Sequence, residues 1–318
     1  MTQLIVILAG GLSHERDVSI RSGRRVAEAL RAHSDREVRI HDVDAELLGT
    51  LRHERPDCVI PLLHGASGED GALREVLEAL GLAYVGSRPT ACRVAFDKVL
   101  AKARVAQAGI STPPAVALPH PIFRDLGAAP VLRALVGRIG LPLVTKPTRG
   151  GSALGVSTVA ESSDLPVAMV GAFAYGDEAM LEAYVAGTEV ALAVIEDAEG
   201  RVHALPAVEI RPDGGLYDYA SRYTAGTTEF FVPARLPEEV AAECARVALV
   251  VHEQLGLRHL SRTDLIVRPG GQVEFLEVNV APGCTETSLL PQAVEAAGLG
   301  LGTVFATLVD RAVAERRG

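Results

Sequence analysis

Ser261–Asn279 reads SRTDLIVRPGGQVEFLEVN, two runs of alternating apolar and polar residues either side of a Pro269-Gly270-Gly271 turn signal, and so predicts a β-hairpin. With the hairpin turning at these residues in the register whose partners' numbers sum to 541, Asp264 lies opposite Glu277 and Arg262 opposite Asn279, all on one face. A two-residue Pro269-Gly270 turn shifts the pairing and keeps that face, whereas a bulge flips it. Two carboxylates and an amide oxygen are hard-oxygen donors suited to Mg²⁺, which keeps several waters and bridges nucleotide phosphates. The competing reading is the polar outer face of an ordinary hairpin. It is disfavoured because carboxylates placed opposite each other repel unless a cation lies between them. Asp264, Glu277 and Asn279 are therefore the candidate metal ligands.

Working outward, VAPGCTETSLLP (Val280–Pro291) follows at once as a Gly-containing loop and a helix start, where backbone N–H groups can bind an anion, although most such loops are only turns. KPTRGGSALG (Lys146–Gly155) puts a lysine at a strand end beside a flexible loop, the make-up of a phosphate-covering lid, and equally of a structural glycine loop. HGASGEDG (His64–Gly71) places His64 at the carboxyl edge of a strand, where open α/β sheets bind ligands. A hydrogen-bonded structural histidine is the alternative there. GGLSHERDVS (Gly10–Ser19) stands between an apolar strand and a helix, yet lacks the G-x-G-x-x-G of a dinucleotide fingerprint, which argues against a Rossmann dehydrogenase.

These segments sit in three predicted parts. Residues 1–92 alternate apolar runs (LIVILA, EVRIHDV, DCVIPLLH, LAYVG) with helices near 17–33, 44–53 and 70–80, giving a parallel α/β domain. Residues 93–179 start within a helix over about 89–108, pass a Pro-rich link and form a small lid domain around two short strands. Residues 180–318 combine several strands with helices near 235–256 and 302–316, an antiparallel sheet covered by helices. The fold class is thus α/β joined to α+β.

The chain has 318 residues, 48% hydrophobic and 22% charged, with a net charge of −9, which fits a globular protein and argues against nucleic acid or an anionic membrane as partner. Four widely spaced cysteines (Cys58, Cys92, Cys244, Cys284) predict reduced, buried thiols. With no basic leader and no apolar run of about 18 residues, a cytoplasmic location is the expectation.

The order of the motifs GGLSHERDVS, LLHGASGEDG, AFDK, LVTKPTRGGSALGV, LEAYVAGTE, YDYASRY, RTDLIV and EVNVAPGCTETSLLP resembles the D-alanine–D-alanine ligases of the ATP-grasp superfamily, over nearly the whole chain. The resemblance implies an ATP-grasp fold with an N-terminal substrate domain, a central lid and a C-terminal catalytic domain. It also implies that ATP phosphorylates the carboxylate of one D-alanine and that the amine of a second attacks the acyl phosphate, for peptidoglycan precursor synthesis. By the same resemblance Glu15 binds the first ammonium group, linked to Ser152 and Tyr223. Lys98, Lys146 and Arg222 hold phosphates, and Glu182 and Glu189 lie along adenine and ribose. Mg²⁺, with Mn²⁺ as a substitute, sits on Asp264, Glu277 and Asn279. Arg262 and the Gly283 N–H stabilise the oxyanion, Ser288 and Leu289 hold the second carboxylate, and His64 lies near the second substrate. A homodimer is the implied assembly.

The sequence departs from the family pattern at Arg222, where lysine is usual, at Gly150 and Ala153 in the lid, and at Val280 and Cys284. Two other readings stay open: a relative joining other amino or hydroxy acids, for which position 223 discriminates, and a nucleotide-binding protein without catalysis.

Overall fold

The computed structural model describes residues 2–213 and 226–317, so Arg222 and Tyr223 lie outside the described residues. In the N-terminal unit β1 (Leu4–Leu8) is flanked in parallel by β2 (Glu37–His41) and β3 (Cys58–Pro61). The near-continuous apolar runs of β1 and β3 are what strands covered on both faces require. Helices α1 (Arg16–His33), α2 (Leu47–Glu54), α3 (Ala66–Glu69) and α4 (Ala72–Ala79) follow them. The run LAYVG, read as a fourth strand, contributes only a parallel bridge from Tyr84 to Val59; it is bounded by Gly81 and Gly86, both at positive φ, which leaves little extended chain to pair.

The helix expected over about 89–108 is two helices, α5 (Pro89–Phe96) and α6 (Lys98–Gln107). Asp97 breaks it: its backbone is extended and its carboxylate accepts from the N–H groups of Val99 and Leu100, both at 3.1 Å, as an N-cap does. Both helices pack on the C-terminal sheet, sharing a core with Val190, Leu192 and Phe275.

The central unit comprises β4 (Ala115–Pro119), α7 (His120–Leu126), α8 (Ala128–Ile139), β5 (Leu143–Pro147), β6 (Ser157–Val159), α9 (Leu165–Phe173) and β7 (Glu178–Ala183). Its antiparallel sheet has the order β4-β7-β5-β6, and its own core includes Leu132, Leu143, Leu165 and Leu181. The break expected at 179/180 falls inside β7, which belongs to this sheet, and the break at 92/93 falls inside α5.

The C-terminal unit holds β8 (Thr188–Glu196), β9 (Val202–Ala204), β10 (Val208–Pro212), β11 (Thr228–Phe231), α10 (Glu238–Gln254), β12 (Leu260–Val267), β13 (Val273–Asn279), α11 (Leu289–Ala296) and α12 (Leu301–Arg317). Its sheet runs β11-β10-β8-β12-β13 with β9 on β8. Alternate residues of β8 serve two cores. Val190, Leu192 and Val194 pack with α10. Ala191, Ala193 and Ile195 pack with α11, α12 and the N-terminal strands in one continuous cluster.

The β12–β13 hairpin pairs Asp264 with Glu277 and Arg262 with Asn279, as read from the sequence, but a bulge contributes to that register. Next to the turn Val267 pairs with Val273 and Leu265 with Phe275, and the register shifts between Asp264 and Leu265. Leu276 is the extra residue, and the bulge it makes restores the expected partners beyond it.

Candidate active site

Between the central and C-terminal sheets lies a cleft with an empty volume of about 890 Å³, open mouth included, lined by Lys98, Lys146, Glu182, Glu189, Asp264 and Glu277 between apolar walls. The two-residue period of β5 turns Val144 and Lys146 into the cleft and buries Leu143 and Thr145 behind it. Lys146 Nζ donates to Glu182 Oε2 at 2.6 Å. Lys98, first residue of α6, donates to the Gly150 carbonyl at 2.8 Å and lies 3.2 Å from Glu277 Oε2. The break at Asp97 aims it there: the Lys98 N–H donates to Thr148 O, and the Asp97 carboxylate receives Arg149 at 2.9 and 3.1 Å.

A second, polar pocket of about 550 Å³ collects Glu15, His64, Ser152, Arg262, Asn279, Gly283, Ser288 and Leu289. A third hollow, whose walls include Glu69, Lys98, Gly150, Arg262, Glu277 and Asn279, shares lining residues with both. Every site residue expected from the sequence that falls among the described residues therefore lines one of these adjoining pockets. Ser152 donates to Glu15 Oε1, tying the lid loop to the first loop of the chain. That first loop turns on Gly10 and Gly11, with φ of 115° and 74°, where a side chain would be strained; Asp42 holds it by accepting from Gly11 N at 2.7 Å and from Arg16.

Arg262 grips Asp264 with two bonds of 2.7 and 2.8 Å. The repulsion between Asp264 and Glu277 is thus relieved by Arg262 on one side and Lys98 on the other, so their closeness does not by itself demand a metal. What fits a hard cation is the donor set: two carboxylates and the Asn279 amide oxygen on one face, the last also accepting from Ala281 N at 2.7 Å.

His64 is buried, and its Nδ1 lies 3.0 Å from Ala281 O. A carbonyl only accepts, so Nδ1 carries the proton and Nε2 keeps a lone pair. That atom has no partner among the described residues, and burial lowers the pKa of the ring, which favours this neutral form. Ser288 Oγ accepts from Thr285 N at 3.0 Å and precedes α11, the helix start expected from the sequence.

Two residues escaped sequence reasoning. Glu69 accepts from Gly65 N at 2.8 Å; burial first, and the Glu15 charge second, push its carboxyl up to about 8. Lys102, behind Glu182, forms an ion pair with Glu182 Oε1, and burial lowers it to about 8. Burial raises the Glu182 carboxyl, but Lys146 and Lys102 outweigh it and hold the pKa below the usual value.

Residues 105–310 match the family model described as D-ala D-ala ligase C-terminus. The chain is 38% identical over 309 residues to a D-alanine–D-alanine ligase of Moorella thermoacetica, covering 97% of this chain and 99% of that one. It belongs to the D-alanine–D-alanine ligase family. Among solved structures, the D-alanine–D-alanine ligase of Bacillus anthracis complexed with ATP superposes with a TM-score of 0.81 at 26% identity, covering 99% of each chain. The VanG D-Ala:D-Ser ligase of Enterococcus faecalis gives 0.82 at 27%, covering 98% of this chain and 100% of that one. These ligases share the ATP-grasp fold seen here, with a parallel sheet followed by two antiparallel ones.

Proposed function

We propose that the chain is an ATP-dependent D-alanine–D-alanine ligase supplying peptidoglycan precursors. The observation that carries this reading is the convergence of Glu15, Ser152, Arg262, Asn279 and Gly283 on a small polar pocket that adjoins, across a shared hollow, a lysine-lined cleft of nucleotide size. Glu15, fixed by Ser152, binds the ammonium of the first D-alanine and holds its carboxylate toward the cleft. Lys98 and Lys146 balance the phosphate charge of ATP; Glu182 and Glu189 receive its base and ribose. A carboxylate oxygen attacks the γ-phosphorus and ADP leaves. The second D-alanine gives up an ammonium proton to solvent, its free amine attacks the acyl carbon, the peptide C–N bond forms as the C–O bond to phosphate breaks, and the second nitrogen proton leaves with phosphate. Arg262 and the Gly283 N–H are fixed donors for the oxyanion of that step, an arrangement whose loss typically costs about 10²–10³ in rate. Ser288 and the first turn of α11 hold the second carboxylate. The His64 Nε2 lone pair accepts a hydrogen bond from the second ammonium.

Asp264, Glu277 and Asn279 would hold Mg²⁺, or Mn²⁺, which when bound neutralises phosphate charge. Arg222 and Tyr223, to which the family resemblance gives the roles of phosphate contact and partner of Ser152, lie outside the described residues. The three working parts are a substrate unit, a lid and a catalytic unit. A cytoplasmic homodimer accompanies this reading through the family resemblance alone. The net charge of −9 supports the lack of a nucleic-acid or anionic-membrane partner, and among the described residues no single helix is long and apolar enough to cross a membrane.

The test is ADP release with ATP, Mg²⁺ and D-alanine, with products identified by mass spectrometry in mixtures containing excess D-serine or D-lactate. D-alanyl-D-alanine as main product, and no turnover without D-alanine or Mg²⁺, is expected. Equal turnover with L-alanine sinks the assignment. Predominant D-alanyl-D-serine favours the second reading, a ligase with another acceptor, which the likeness to a D-Ala:D-Ser ligase keeps in play.

A further inference from the structure

Lys102 is an ammonium group that the proposed chemistry does not use. It is 5% exposed and lies outside the cleft lining. Three groups of the protein hold it: Thr112 Oγ1 at 2.6 Å, the Phe275 carbonyl at 3.3 Å, and Glu182 Oε1. Thr112 Oγ1 in turn donates to Phe275 O at 3.0 Å, so the lysine head stands in a fixed cradle between α6 and β13. On the cleft side the other oxygen of Glu182 takes Lys146 at 2.6 Å. The carboxylate is thus sandwiched between one ammonium that faces the ligand and one that cannot reach it.

One carboxylate needs only one close cation for neutrality, and the second changes what the first is free to do. With Lys146 as its only counter-ion, Glu182 would bind that lysine with both oxygens, and moving Lys146 to a phosphate would strand a buried anion at high cost. With Lys102 fixed on Oε1, Lys146 can turn to the phosphates while Glu182 stays ionised and oriented, its Oε2 open to an N–H of the base. We propose that Lys102 is a positioning residue for nucleotide binding, the permanent counter-ion that releases Lys146 to the phosphates and aims Glu182 at the exocyclic amino group of adenine. This deepens the ligase reading and rests on Glu182 receiving the base.

The experiment compares ATP with inosine triphosphate, which lacks the amino group, in the full-length protein and its Lys102→Met, Lys102→Arg and Thr112→Val variants, measuring KM for nucleotide, KM for D-alanine and kcat. The wild type is expected to prefer ATP by about tenfold or more, the size of one charge-assisted hydrogen bond. Lys102→Met should raise KM for ATP by a similar factor and erase the preference, with KM for D-alanine unchanged and kcat much less affected. Lys102→Arg should restore part of both, and Thr112→Val should shift them in the same direction as Lys102→Met by less. A wild type indifferent to the base overturns the role of Glu182 and this proposal with it. A selective wild type whose Lys102→Met and Thr112→Val variants keep its KM and preference overturns Lys102 alone, as does a fall in kcat at constant KM. If Lys102→Met does not fold, Thr112→Val and Lys102→Arg decide by the same readouts.

Discussion

Glu69 shows how far a site can move one residue from its ordinary chemistry. Burial first, and the neighbouring Glu15 charge second, raise its carboxyl to about 8, so it is an uncharged acid at neutral pH. A folded pKa above the unfolded value of 4.5 means that the native state binds the extra proton between the two. Its stabilisation is therefore present below 4.5 and lost as pH rises to about 8. Glu69→Gln, which imitates the protonated form, should fold and bind nucleotide normally, and its melting temperature should gain on the wild type steadily from pH 5 to pH 8 and then level off. A constant difference across that range would show that Glu69 is ionised in the native protein. Neither Glu69 nor Lys102 stood out in the sequence. Glu69 sits beside Asp70 in a polar stretch that looks solvated, and only the fold, in which Glu69 ends α3, reveals that one of the two is enclosed. Lys102 did leave a signal, four residues after Lys98 and so on the same helical face, but charge at that spacing is usually a solvated stripe.

Among elements, the break between α5 and α6 and the bulge in the hairpin do the positioning. The apolar period runs unbroken through Ala95, Phe96, Val99 and Leu100, so sequence reading joined two helices although Asp97 is an ordinary N-cap residue. The alternation that puts Arg262 with Asp264, and Glu277 with Asn279, on one side of their strands was legible, but their pairing across the hairpin is completed by a bulge. The bulge at Leu276 was not, since it depends on what the extra residue packs against, here the wall of the cleft. Asp97 carries two duties, capping α6 and receiving Arg149 of the lid loop. Asp97→Ala should cost about 1–2 kcal/mol in urea unfolding from the lost cap and also raise KM for ATP by freeing the lid. Arg149→Ala, whose side chain is 66% exposed, should raise KM with almost no loss of stability. Equal destabilisation by both variants would mean that the ion pair, rather than the cap, is what matters.

At the scale of the whole molecule, one apolar cluster joins the N-terminal strands to the C-terminal sheet through α1, α11 and α12, while the central sheet keeps a separate core. The order of the units was readable from the chain. The side on which α5 and α6 pack was not, because their apolar faces suit either neighbour. Behind the joint, Glu196, His259 and Glu315 bring ligand-type atoms within 4.8 Å of one another. Arg311 and Arg258 already neutralise those carboxylates, so the group reads as an inter-unit pin rather than a cation site. His259 Nδ1 accepts from Gly86 N at 3.0 Å, a bond that exists only while the ring is neutral.

Such buried neutral histidines set the acid limit of the fold. His252, whose Nδ1 lies 2.8 Å from Ser261 Oγ, is lowered to about 4, chiefly by burial; His64 and His259 are lowered too, again chiefly by burial. Between the ordinary value of 6.5 and the folded value, the unfolded chain binds a proton that the native state refuses. Each such histidine therefore contributes stability that is complete above about 6.5 and falls on acidification by up to about 1.4 kcal/mol per pH unit. Glu69 acts in the opposite sense from 4.5 upward, but it is one proton against three. Stability should consequently fall from pH 7 to pH 5, before the carboxylate of Asp42, lowered to about 2 chiefly by its bond from Arg16, begins to titrate. His252→Gln keeps a hydrogen-bonding group facing Ser261 and removes one of the three protons. It should cost about 1 kcal/mol at pH 7.5, and the gap to the wild type should narrow as pH falls toward 5. Parallel unfolding curves for the two proteins over that range would mean that His252 is not excluded from protonation in the native state, and the acid sensitivity would then have to come from His64 and His259 alone.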